Sequence, residues 1–329
     1  MEEPPPEPPP QPSAASATAP DGEPEVWTEE ATYPSGIPRH RWQLKRDGQG
    51  PPVLHGPYAT WYVHGQQKEE GQYADGQRAG SWSFWHFNGE KEAEGVYEAG
   101  RPTGEWTFWH ENGKLAQRGS YASGLAEGSW SWWHPFSSEQ QWAGGLYLAG
   151  ELHGPWTVWY QDGRVAELGT YEQGRLEGRW TSWHPNGAKA EEGDYRGGLR
   201  QGLWNGWNED GQLLWSGAFD AGRESGPWTF WNGDGTKSHA GRFDAGRQEG
   251  EWTFWYPDGS VREKGRYAAD RAEGEWTSYH PGGARALEGT YAGGLNDGTW
   301  VRWDPGGTEV ERVEYEAGRP VEGREDGEG

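Results

Sequence analysis

The chain contains no cysteine and a single methionine. The first absence excludes disulfides, thiolate nucleophiles and Cys-ligated metals, though it fixes no compartment. Aliphatic residues are scarce while aromatics reach 15%. A Leu/Ile/Val core is therefore excluded, and rings are what the chain has to bury. No apolar run approaches the length of a membrane-spanning helix. Positive charge is also short: 29 Lys and Arg stand against 52 Asp and Glu, net −23. The first fifty residues hold nine acidic and four basic side chains, so most of the acidity belongs to the rest. Such a surface reads as a solubilising coat. It argues against nucleic acid and anionic membrane, which recruit Lys and Arg clusters. The opening stretch MEEPPPEPPPQPSAASATAP has neither the basic nor the apolar segment of a signal peptide. The cytoplasm is the default expectation for location.

Glycine and tryptophan are abundant, at 55 and 25 of 329 residues. They recur in phase. GEWTFW stands at Gly104–Trp109 and again at Gly250–Trp255, with GPWTFW at Gly226–Trp231. Aligned on the first Gly, eleven units start at Gly56, Gly80, Gly104, Gly128, Gly154, Gly178, Gly202, Gly226, Gly250, Gly274 and Gly298. Every step is 24 residues except one of 26. A fixed period of this length marks a repeat architecture. With the first Gly as offset zero, Trp fills offset two and offset five in ten of the eleven units. Tyr or Phe follows near offset 17.

Asn-Gly and Asp-Gly dipeptides, as at Asn112-Gly113 and Asp162-Gly163, favour tight hairpins. A second turn follows the Tyr, as in Tyr171-Glu-Gln-Gly174. Each unit therefore reads strand, turn, strand, turn. The expected fold is all-β: tandem 24-residue β-hairpins in an elongated antiparallel meander or solenoid of about 22 strands. Expected boundaries are a disordered Pro-rich acidic segment at 1–25, a degenerate N-terminal cap at 26–55, eleven repeats over 56–321 and a polar tail at 322–329. The 26-residue step falls in the loop His134-Pro-Phe-Ser-Ser-Glu139.

Alternation along a strand puts offsets two and four on one face, and three and five on the other. A two-residue Asn-Gly loop sets offset two opposite offset 15, which is Gly in nearly every unit. A bare Gly lets the indole lie over the neighbouring backbone. Trp82, Trp106, Trp156, Trp180, Trp228 and Trp252, with Tyr97, Tyr121 and Tyr171, are the expected structural core. The offset-five column has the more polar surroundings. Trp85, Trp109, Trp159, Trp183, Trp231 and Trp255 are the candidates for partner or ligand contact.

Other chemistry is thin. His86, His110, His134, His184 and His280 form a column at offset six. Equivalent strands lie roughly 9–10 Å apart, too far for side chains to converge on one ion. These rings are expected to line the turns. Acidic pairs such as Glu69-Glu70 and Glu191-Glu192 point to opposite faces of a strand, which suits no acid–base pair. There is no nucleophile elbow, phosphate loop or dinucleotide fingerprint. No catalytic residue, cofactor or metal is expected.

The segment DGRVAELGTYEQGRLEGRWTSWHPNG, from Asp162 to Gly187, resembles the MORN-variant repeat of bacterial proteins. It shares the turn Gly, a strand ending G-x-Y, a second turn Gly and then G-x-W-x-x-W. The resemblance spans about 55–321. It implies antiparallel hairpin arrays and non-enzymatic roles. Eukaryotic MORN repeats are linked to membrane recognition and scaffolding, and some bacterial variant-repeat proteins are labelled antitoxin-like. The expected function is a non-catalytic scaffold for protein partners. The alternatives are a binder of glycan or choline-type ligands at a cell surface, and an antitoxin-like neutraliser of a toxin.

Overall fold

A computed structural model describes residues 24–136 and 140–321. The segment expected to be disordered lies outside the described residues up to position 23, as do the tail from 322 and part of the inserted loop. All regular structure among the described residues is strand. The chain divides into two compact units, Met1–Glu151 and Leu152–Gly329. In the first, ten strands from Glu25–Thr32 to Gln141–Leu148 pair antiparallel, each with the next. In the second, the same meander runs from Glu151–Trp159 to Arg319–Pro320. The described strands number 26, against the expected 22 or so. Two of the extra ones, Glu25–Thr32 and Pro38–Arg46, precede the first repeat. Another arises where one strand is split into Arg175–Leu176 and Gly178–Trp183, and the last is the short Arg319–Pro320.

The hairpin register is as expected, but its loop is not. Trp106 stands opposite Gly119, as a two-residue Asn112-Gly113 loop would place it. The loop in fact has three residues: His110 N–H bonds the Lys114 carbonyl at 2.8 Å, and Gly113 N–H bonds that of His110. Gly113 has φ 76°, the left-handed geometry of a G1 bulge. This longer loop slips the register by one. A bulge at Ala116, between the pairs Trp109↔Leu115 and Phe108↔Gln117, slips it back. The other turn is a two-residue loop: Glu98 pairs with Arg101, and Ala99 and Gly100 both have positive φ, the mark of type I′.

A second irregularity aims the rings. Between hairpins, Glu94 pairs with Thr107 and Val96 with Thr103. Gly104, Glu105 and Trp106 thus share the span opposite Gly95 alone. Gly104 takes φ 66° to make this bulge. The expectation that the indole covers its ladder partner is corrected here. The bulge tips the Trp106 ring back onto Gly95 of the preceding hairpin, where any Cβ would lie inside the indole. The Trp106 Nε1–H donates to the Val96 carbonyl at 3.3 Å. The same overlap recurs at Gly71, Gly119, Gly193, Gly217, Gly241, Gly265 and Gly289. At these eight glycines the first-column ring therefore locks a hairpin to its predecessor.

The aromatic face is continuous from His40 to Tyr147 in the first unit and from Trp180 to Trp300 in the second. Trp106 meets Tyr97 edge-on at 5.1 Å and Tyr121 at 6.0 Å, and stacks with Phe108 at 5.8 Å. Such edge-to-face contacts add about 0.5–1.5 kcal/mol each beyond burial. Where Phe gives way to Gly206, Trp215 on the paired strand covers that glycine and stacks on Trp228 at 5.6 Å. The ring has moved across the ladder and the volume is kept.

Candidate functional site

The first Trp column is consumed by the fold. Trp82, Trp106, Trp228 and Trp252 are at most 5% exposed, and Trp204 is fully buried. Trp156 and Trp180, expected beside them in the core, are only half-buried. At Trp180 the cause is visible. Leu176 occupies part of the space over Gly169, where a Cβ would be 3.5 Å from Leu176 Cδ2 and 2.9 Å from Trp180 Cδ1. The indole is displaced accordingly. Tyr97, Tyr121 and Tyr171 are half-buried. Burial pushes the Tyr121 phenol above its ordinary value, with the neighbouring Tyr97 and Tyr147 adding to it.

All six candidates of the second column, Trp85, Trp109, Trp159, Trp183, Trp231 and Trp255, are half-buried. They recur once per hairpin and are never brought together. Trp109 shares the Thr107 face, opposite Trp106 and Phe108. In the unit before it, Lys91 extends its ammonium to 5.5 Å from the Trp109 ring centroid and pairs with Glu94 at 2.5 Å. Lys189 does the same over Trp207 at 5.2 Å, and Lys237 over Trp255 at 5.8 Å. These cation–π lids escaped the sequence reading. Their signal was available: in each pair the Lys stands 18 residues before its Trp.

The histidine column is occupied. His86 Nε2 donates to the Trp109 carbonyl at 2.8 Å, His184 to Trp207 at 2.8 Å and His280 to Trp303 at 2.9 Å. His110 reaches Trp133 at 3.3 Å. Where the repeat has Tyr at this offset, the phenol does the same: Tyr62 donates to Trp85 and Tyr256 to Tyr279. Where His or Tyr makes this bond, the column ties the backbone under the next second-column ring to the preceding hairpin. His134, beside the two-residue insertion, is the exception. Among the described residues its buried Nε2 has no partner.

The acidic pairs divide as alternation requires. Glu69 joins Arg78 at 2.8 Å, and Arg78 lies 4.2 Å over Trp82. Glu191 and Arg200 repeat this at Trp204. Glu192, on the other face, binds Lys189 and Arg179 at 2.6 and 2.7 Å. Part of the acidity that reads as a coat is in fact structural. The carboxylates of Glu127, Glu177, Glu249 and Glu273 accept backbone N–H groups from the next hairpin's type I′ turn at 2.8–3.1 Å. Gln201 does so without charge.

Residues 102–122, 152–173, 176–196 and 248–269 match the model of the MORN repeat variant. The four segments are in-phase copies of the hairpin described above, so the chain carries MORN-variant repeats at these positions. MORN repeats are non-enzymatic and serve generally in interaction with proteins or membranes. No curated protein matches the chain. Among solved structures the chain is similar to the TCP10 domain of Danio rerio CPAP in complex with a peptide of Danio rerio STIL. Identity is 14% and the TM-score 0.20, over 88% of this chain and 100% of that one. It is also similar to the Photorhabdus luminescens Tc holotoxin pore, at 10% identity and a TM-score of 0.18, over 85% of this chain and 16% of that one. Scores this low define no common fold.

Proposed function

We propose that this protein is a non-catalytic scaffold that engages protein partners through its second tryptophan column. The observation that carries the reading is the unequal use of two equally regular columns. First-column rings are spent on joining hairpins. Second-column rings keep part of their surface in water, once per repeat, at Trp85, Trp109, Trp159, Trp183, Trp231 and Trp255. Aromatic side chains of this kind are favoured anchors of protein interfaces. A choline-type ligand is disfavoured at Trp109 and Trp255, whose ring faces already hold the ammonium groups of Lys91 and Lys237. Catalysis is disfavoured as well: His86, His110, His184 and His280 donate to carbonyls, and Glu69, Glu191 and Glu192 are paired with Arg or Lys.

The test compares the wild-type chain with a Trp85→Ala/Trp109→Ala/Trp255→Ala variant in a cross-linking pull-down, beside a glycan array. A protein captured by the wild type and lost by a still-folded variant supports the reading. A saturable array signal that the same variant loses, with equal protein capture by both chains, would overturn it in favour of glycan binding.

A further inference from the structure

The last hairpin departs from those before it at offset 15, on the strand Glu309–Glu316 near the sheet's C-terminal edge. Offset 15 is Gly in the hairpins before it, and at eight such glycines a Cβ would overlap the indole of the hairpin that follows. In the last hairpin the residue is Val313, in ladder register with Trp300. Its backbone prepares for a further strand just as the others do. Tyr315 pairs with Pro320 and Glu316 with Arg319 around Ala317 and Gly318, at φ 48° and 80°. Gly318 N–H reaches back to the Asn296 carbonyl at 2.8 Å, as the equivalent turn glycines do. The chain path is thus open and only the ring site is closed. No residue after Trp303 is Trp.

We propose that Val313 closes this edge to any further Trp-bearing hairpin and so sets where stacking stops. A single methyl at this position already overlaps an indole, and isopropyl fills its place entirely. An incoming strand would lose its ring contact and its indole hydrogen bond together. An open sheet edge invites addition of another strand; here the refusal is built into one side chain, without altering the backbone.

A chain extended by a copy of residues 247–270 directly after Gly318 tests this, made once with the native Val313 and once with Val313→Gly. The copied Trp252 then falls 24 residues after Trp300. Hydrogen exchange and limited proteolysis should show the added hairpin protected in the Val313→Gly chain and open in the chain that keeps Val313. Equal protection in the two chains, high or low, would overturn the proposal. The reciprocal change keeps the test independent of the extension. Gly289→Val in the unextended chain should expel Trp300 and expose the segment from Leu295 onward to protease, with earlier hairpins still protected. Continued protection there would likewise contradict it.

Discussion

Trp106 and Trp109 lie three residues apart on one strand and lead different lives. Trp106 is 4% exposed, covers Gly95, donates to Val96 and meets two tyrosines edge-on. Trp109 is half-buried under the long side chain of Lys91. The sequence repeats both with the same fidelity. Regular recurrence therefore does not distinguish a residue that builds the array from one the array presents. What distinguishes them is the partner: only the first has a glycine beneath it and a bulge to aim it.

The sharpest way to break this comparison is to fill the space under the first column. Gly95→Val should cost the most, about 3–5 kcal/mol, because it combines overpacking with expulsion of a buried Trp. Denaturant unfolding would show it. Gly104→Val, at the bulge, meets open space and is penalised only for its φ of 66°; it should cost about 1–2 kcal/mol. If the two were equal, the ring-over-glycine contact would not be what joins the hairpins.

The histidine ties rank next. His86→Ala should cost about 1 kcal/mol through the lost bond to the Trp109 carbonyl. His86→Tyr should recover most of it, since Tyr62 and Tyr256 fill the same role elsewhere. A variant in which Tyr is no better than Ala would show that the column merely lines the turn.

A pH effect sharpens the picture of the aromatic face. His239 stacks on Phe230 at 4.2 Å and faces Phe254 at 5.7 Å. Burial, and then the nearby Arg262, hold its pKa below the ordinary 6.5. The unfolded chain therefore takes up this proton first. Stability should begin to fall as pH drops through about 6.5 and go on falling to the depressed folded value. His239→Phe should flatten melting temperature over that window. An unchanged slope would remove His239 from the account. The smallest effect is expected at the turns: Ala99→Gly, relieving a left-handed Ala of φ 48°, should add about 0.5–1 kcal/mol.

The repeat, the strand count per unit and the Trp–Gly register were legible in the sequence because each follows from period two and a fixed 24-residue step. The direction in which the ring leans was not. It depends on a positive φ at Gly104, and nothing separates that glycine in sequence from the turn glycines. The loop at Asn112-Gly113 was misread for a related reason: its extra residue is cancelled by the bulge at Ala116, so the register betrays neither. Trp180 was misplaced because Leu176 competes with it for the space over Gly169, a contact between neighbouring strand segments that no period reveals. In the candidate column, the lysine lids over Trp109 and Trp255 were missed, being 18 residues away and a repeat earlier.

The central claim is that the first column holds the array together while the second is displayed by it. Thermal melting of Trp106→Ala beside Trp109→Ala tests it most directly. The account predicts a loss of about 3–5 kcal/mol for the first and at most about half of that for the second. Equal shifts, or a larger one for Trp109→Ala, would contradict it.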